Sequence, residues 1–486
     1  MNAARNRPIV ALLALAVLAW NGCGDSGNDP MDAAVTDPGT DTPTDPGTDT
    51  PTDPGRDAAV TDAGTDAVDD AGTDAAADVP GPDPWVTNFA PRRETRGDIT
   101  VLWLKGTPYE MGKQHGALMA AELAEGVAFL GSSELGLLQN LFTYYGFDED
   151  ARQQSYDMIR EECEGMADGA QVEGWTADVC LGLAYGEIVL DHFNLGLLQC
   201  SQFVAAGPAV AAEDGELIHG RNLDWDAIDY LLDHPTIIVR HPEGRIPYVS
   251  IGFPGNVATY NGINAAGISV ASNENESIGD IDRVGRPSVQ TQNVILAEHD
   301  NLDDIMAMME GLDRMSAENI VVADGNAGRA AIYQLTASHF GKDELGDDGV
   351  AWITNHYTHP DMTQWGIEYE TGASTLVREW RLRQLLDPAE TGTTLYGTLD
   401  VPKAVSILRD RYNPLRMAES PEDAFDDNRS IATNGAIYSI VFLPKRGQFW
   451  LAAGNPPVPR NAYVGFSLAE LFGWEDPVAP DPAKVD

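Results

Sequence analysis

Residues 24–84 hold sixteen Asp and not one Leu, Ile, Phe, Tyr, Trp or Lys, and from Thr36 they repeat the eight-residue unit TDPGTDTP. Such a stretch cannot bury enough apolar surface to offset its ordering entropy, so the sequence predicts a disordered tether extended by its own charge. Folding is left to residues 85–486. Of the formal charge of −46, the tether carries −15 and residues 1–23 carry +2, which leaves −33 on the remaining 402 residues. A chain this anionic repels phosphate, so nucleic acid is excluded as a partner. Those 402 residues hold nearly all the aromatics and are enough for a large core.

Residues 1–23 place Arg5 and Arg7 before an apolar run from Ile9 to Trp20 and then small residues, the anatomy of a secretory signal. As a helix the 12-residue run is about 18 Å long, short of a hydrocarbon core of roughly 30 Å. Cys23 follows Asn21-Gly22 and resembles the lipidated cysteine of bacterial lipoproteins, with Trp20 where such signals usually carry Leu. The expected location is the cell envelope: an outer-membrane lipoprotein, or a periplasmic or extracellular protein touching the membrane through the lipid only. In an oxidising compartment Cys163 and Cys180 are spaced to pair, leaving Cys200 as the odd thiol; the alternative is three small buried hydrophobes.

The foldable part opens with the strand-like DITVLWLKG. From Pro108 to Leu130, Met111, His115, Leu118, Met119 and Leu123 then line one side of a helix. Helical patterns continue over 148–166 and 176–197. From Cys200 the texture changes to ten short Val/Ile/Tyr-rich runs, with further helices near 288–298, 302–309 and 373–386. The fold class is α/β or α+β with a large antiparallel component, a helical segment 85–199 preceding a core 200–486. G-x-G-x-x-G behind a strand, a P-loop and HExxH are all absent, so no cofactor is expected.

The informative stretch runs from Cys200 to Asp226. If GPAVAAED connects CSQFVAA to GELIHGR, Ala206 faces Gly215, Cys200 faces Arg221 and His219 faces Gln202. A cation beside a thiol lowers its pKa and raises its thiolate fraction. Asp224, at the strand exit, is placed to hold the same constellation by charge-assisted hydrogen bonds. An Arg/Asp pair at a strand end is otherwise an ordinary surface salt bridge.

Several segments resemble the isopenicillin N acyltransferase-like hydrolases of the N-terminal-nucleophile superfamily. GTPYEMGKQHG from Gly106 is similar to their N-terminal helix motif, and Cys200 with HGRNLDW from His219 to their nucleophile strand and Arg-x-x-Asp pair. GINAAGISVASNEN from Gly262 and WITNHY from Trp352 resemble their asparagine segments, and QFWLAAGNPP from Gln448 their closing strand. The resemblance covers roughly residues 95–475. It differs at Gln199, at Ser201-Gln202 and in a longer connection around Pro208.

The resemblance implies a four-layer αββα sandwich and a proenzyme that cleaves itself between Gln199 and Cys200, the two chains staying associated. Cys200 is then the nucleophile, with its own α-amine as base. Arg221 and Asp224 polarise and orient it, Asn273 and Asn355 donate to the oxyanion, and Arg378 is a more distal charge partner among the three arginines of STLVREWRLR. The implied substrate is a small-molecule acyl amide, hydrolysed or used for acyl transfer. Two other readings stay open: an inactive tethered binding protein of the same fold, and a papain-like Cys200/His219 or metal-dependent hydrolase using His356 and His359. The last pair lacks a third ligand at helical spacing, so no metal is expected.

Overall fold

The computed structural model describes residues 85–486 except 133–139, 187, 189–191, 193–198, 211–214, 226–227 and 475–481. The expected signal segment with Cys23 and the tether 24–84 lie outside the described residues. Two sheets form the centre. The first has nine strands, in the order β1 (Arg92–Arg96), β2 (Ile99–Gly106), β5 (Thr236–Pro242), β6 (Tyr248–Gly252), β7 (Asn261–Asn264), β8 (Ile268–Glu274), β9 (Glu318–Asp324), β10 (Arg329–Leu335) and β11 (Phe340–Glu344). It is antiparallel except between β2 and β5. The second has six, in the order β12 (Val350–Ile353), β3 (Gln199–Ala205), β4 (Ile218–Asp224), β15 (Ala436–Leu443), β16 (Gln448–Ala452) and β17 (Val464–Ser467). A two-stranded hairpin, β13 (Tyr412–Asn413) and β14 (Ala418–Glu419), stands apart.

Among the described residues the helices of eight residues or more are α1 (Pro108–Leu118), α2 (Ala120–Leu130), α3 (Phe147–Gln154), α4 (Asp157–Ala170), α5 (Ala177–Tyr185), α6 (Ser288–Glu298), α7 (Leu302–Glu310), α8 (Ser374–Leu386) and α9 (Val401–Leu408). Strand alternation assigns the layers. On β2, Leu102 and Leu104 pack with Met111, Ile159, Met166, Ile295 and Ile305 from the helices on one face. Val101 and Trp103 point the other way, into a core with Ile440, Phe442 and Leu451 of the second sheet. Leu382, Val405 and Leu408 of α8 and α9 cover that sheet from outside. Both faces of each sheet are therefore occupied, which is why VLWL is apolar throughout, and the layers run α-β-β-α as expected. Among the described residues no helix is long and apolar enough to cross a membrane.

The long helix expected over 108–130 is two, broken at Met119, although Met111, His115, Met119 and Leu123 are all buried as its periodicity requires. The motif GTPYEMGKQHG works through its glycines. A Cβ on Gly112 would lie 1.9 Å from the Glu162 carbonyl oxygen, and one on Gly165 equally close to that of Tyr109, so α1 and α4 cross nearly backbone to backbone. Two further bonds hold this layer. Cys163 on α4 and Cys180 on α5 form a disulfide, and Arg240 on β5 reaches Glu162 on α4 at 3.0 Å with neither side chain exposed. The runs not recognised as strands, β1, β7, β11, β13, β14 and β17, are short, and β1 is the wholly polar RRETR at a sheet edge.

Candidate active site

Cys200 sits on β3 with no exposure, between β12 and β4. The register differs from expectation by two: Cys200 faces Leu223, Gln202 faces Arg221 and Val204 faces His219. The cause lies in the connection. β3 ends at Ala205, the chain turns through a 3-10 segment over Gly207–Ala209, and β4 begins only at Ile218. An even shift keeps every side chain on its face. Arg221 therefore becomes the diagonal neighbour of Cys200, and its Nη2 lies 3.6 Å from Sγ. Gly220, between His219 and Arg221, leaves room for the Phe203 ring opposite, which a Cβ there would meet at 2.3 Å.

Arg221 is pinned by acceptors of the first sheet. It donates to the carbonyls of Tyr260 and Ser272 and to Asn261 Oδ1. Asp224, opposite Gln199, accepts from Thr433 at 3.0 Å. The proximity of Arg221 does not make the thiol acidic in the intact chain. Burial pushes Cys200 up to about 11, outweighing Arg221, which lowers it; the Asp224 charge raises it and a hydrogen bond with the Asp224 backbone lowers it. The expected depression is thus reversed, because desolvation of a fully enclosed thiolate costs more than one neighbouring cation returns.

Asn355, just beyond β12, lies at the nucleophile. Its Oδ1 accepts the Cys200 backbone N–H at 2.8 Å and Arg378 Nη2 at the same distance. Its Nδ2 donates to the Glu274 carbonyl at 2.7 Å, which leaves its second amide hydrogen uncommitted among the described residues. Asn273 is more fully occupied: Nδ2 donates to the carbonyls of Ile353 and Thr354, and Oδ1 accepts from Gln202. In the intact chain Asn273 braces β12 and β3 against β8.

Arg378, on α8, reaches the other face of β3. It donates to the Cys200 carbonyl, to Ser201 Oγ at 3.0 Å and through Nε to Ser374 Oγ. The one proton of Ser374 Oγ faces the Asn428 carbonyl at 2.5 Å and Gln199 Oε1 at 3.2 Å, so α8 stands beside both residues of the expected cleavage junction. The other arginines of that helix leave the site: Arg381 pairs with Asp410 and Arg383 lies by Glu390. Spacing did not choose among the three, but the fold does.

His219 is not joined to Cys200. Its ring bonds Ser269 and Gln202, and burial lowers its pKa to about 3. His356 turns to Thr354 and Thr375, and His359 Nε2 lies 4.0 Å from Asp343. Four contributors had no signal in the sequence: Ser374, Thr375, Thr433 and Tyr369. Each meets a partner from a distant segment, and none stands in a recognisable motif.

Residues 210–457, just over half the chain, match the model of a family described as acyl-coenzyme A:6-aminopenicillanic acid acyl-transferase. The match includes Arg221, Asp224, Asn273, Asn355 and Arg378 and begins ten residues after Cys200. An uncharacterized protein of Archaeoglobus fulgidus is 25% identical over 396 residues, covering 71% of this chain; the chain spans 62% of that protein's length. Among solved structures, the chain is similar to a Caenorhabditis elegans N-acylethanolamine-hydrolyzing acid amidase ortholog (18% identity, 53% of this chain and 95% of that one, TM-score 0.35). It is also similar to penicillin V acylase from Agrobacterium tumefaciens (14% identity, 56% and 87%, TM-score 0.33).

Proposed function

The chain belongs to the acyl-coenzyme A:6-aminopenicillanic acid acyl-transferase family, and from that premise we propose that it is a cysteine hydrolase or acyltransferase that frees its own nucleophile by cleavage before Cys200. One observation carries the reading. The nitrogen and the sulfur of the same residue are held separately, N–H by Asn355 at 2.8 Å and Sγ by Arg221 at 3.6 Å. Such a division suits a bond broken at that nitrogen by that sulfur.

In the first reaction the Cys200 thiol adds to the Gln199 carbonyl carbon. The bond to the Cys200 nitrogen breaks as that nitrogen takes the thiol proton, and water hydrolyses the resulting thioester. Gln199 is left as a carboxylate, and Cys200 with a free thiol and an α-amine. An α-amine titrates near 7.7–8, so it serves as base at neutral pH without a histidine. In turnover the amine takes the thiol proton and the sulfur adds to the carbonyl of an acylated small molecule. The uncommitted N–H of Asn355 donates to the oxyanion, and the leaving amine departs with the proton. Water then resolves the thioester, or an acceptor amine does so in acyl transfer. The bond acted on is a non-peptide amide, and the protein works at the cell envelope, carried there by its signal and Cys23.

N-terminal sequencing of the purified mature protein tests this. Two associated chains are expected, one beginning at Cys200: 177 and 287 residues if the first starts at Cys23, or about 19 and 31 kDa in proportion to 52.3 kDa. An active protein that runs as one uncleaved chain overturns it.

A further inference from the structure

Asn355 is gripped at every polar group it has. Its N–H donates to Thr375 Oγ1 at 2.9 Å, its side chain joins Cys200, Arg378 and the Glu274 carbonyl, and its own carbonyl accepts from the Tyr369 hydroxyl at 2.9 Å. Tyr369 stands in the loop before α8. The same hydroxyl lies 3.2 Å from Oε2 of Glu276, two residues past β8. The two loops are zipped together: Ser277 bridges Gly366, and the N–H groups of Ile278 and Ile367 donate to the Trp365 and Glu276 carbonyls.

A tyrosine hydroxyl has one proton, and here two oxygens face it. When Glu276 is protonated it donates to the Tyr369 oxygen, and the tyrosine proton goes to the Asn355 carbonyl. When Glu276 ionises, the carboxylate is the stronger acceptor and takes that proton, so the Asn355 carbonyl loses its donor. Resting on the cleavage reading above, we propose that Glu276 and Tyr369 are a proton-linked pair of positioning residues that sets the grip of Asn355 on the Cys200 nitrogen, tighter with Glu276 protonated.

Partial burial raises the Glu276 pKa, against the hydrogen bond from Tyr369. The other charged or titratable groups facing Tyr369 are Arg378 on α8, Glu274 on β8 and the His356 ring at 6.2 Å. Burial, with Arg378, holds His356 at about 4, so its titration lies below the range used in the test.

The test needs no substrate. Freshly translated full chains of wild type, Glu276→Gln, Tyr369→Phe and Cys200→Ala are followed on denaturing gels for the larger fragment, from pH 5 to 8. Glutamine is a permanent donor to Tyr369, so the ratio of wild-type to Glu276→Gln cleavage rates should fall about fivefold through one titration step as pH rises, the worth of one carbonyl hydrogen bond. Tyr369→Phe should lack the step and cleave at every pH with the handicap wild type shows at high pH. A merely structural Glu276 would change the rate by the same factor throughout. A constant ratio for both variants overturns the proposal while leaving the cleavage reading intact. Wild type that never cleaves, or Cys200→Ala that does, overturns that reading and this inference with it. If Glu276→Gln fails to fold by thermal unfolding, the ratio against Tyr369→Phe decides alone.

Discussion

Arg378 and Asn355 meet at 2.8 Å, Nη2 to Oδ1, and the same Asn355 oxygen receives the Cys200 N–H. A guanidinium thus sets the direction of the oxygen that holds the Cys200 nitrogen. Arg378→Lys keeps the charge but cannot reach Asn355, Ser201 and the Cys200 carbonyl together, because an ammonium lacks the planar fork. Self-cleavage should slow by about tenfold or more, the loss of one charge-assisted hydrogen bond, read as accumulation of the uncut chain on a gel.

Asn355→Ala removes both the clamp on the junction nitrogen and the amide hydrogen left for an oxyanion. In protein already cleaved, or assembled from separately supplied chains, turnover should fall by about 10²-fold or more with little change in KM, since the donor acts mainly in the transition state. A change confined to KM would move Asn355 into substrate binding.

Cys200→Ala should abolish both cleavage and turnover while the fold persists, since it removes only a sulfur from a buried site. Cys200→Ser separates the two: a hydroxyl attacks the adjoining carbonyl slowly, so some cleavage survives while amide turnover falls severely. Undiminished turnover in Cys200→Ala would place the chemistry elsewhere.

Glu162 and Arg240 are both fully buried. Burial raises the Glu162 pKa, and Arg240 opposes the rise. Glu162→Ala leaves a guanidinium enclosed without its carboxylate and should cost about 3–5 kcal/mol in urea unfolding. Glu162→Leu combined with Arg240→Met should recover most of that loss, because no uncompensated charge remains.

His115 and His219 are buried, and burial holds each at about 3, well below the usual 6.5. The folded state excludes a proton that the unfolded chain accepts. The stability this represents is therefore complete above pH 6.5 and is lost as pH falls from there toward 3, with a slope of up to about 1.4 kcal/mol per pH unit for each ring. His115 accepts from the Gly255 N–H at 3.0 Å, a bond a glutamine oxygen can accept too. His115→Gln should flatten the fall in urea midpoint between pH 6.5 and 4.5 by one histidine's share.

Composition alone decided that residues 24–84 have no means of forming a core, because chain entropy has no apolar burial to oppose it there. Strand alternation and helical periodicity placed ten strands and three helices after Cys200 but not α9, since those patterns report which side of an element meets a core. Motif order placed Cys200, Arg221, Asp224, Asn273 and Asn355 in one constellation. What only the tertiary structure decided concerns direction and competition. A longer connection than expected shifted the register by two and slid Arg221 off Cys200 and onto its diagonal. Enclosure between two sheets overrode a neighbouring cation and raised the thiol. The choice of Arg378 over Arg381 and Arg383, and the recruitment of Ser374, Tyr369 and Glu276, rest on contacts between segments distant in the chain. No local pattern encodes those contacts, because a side chain's hydrogen-bond partner is whatever the packed layers bring within 3 Å or so of it.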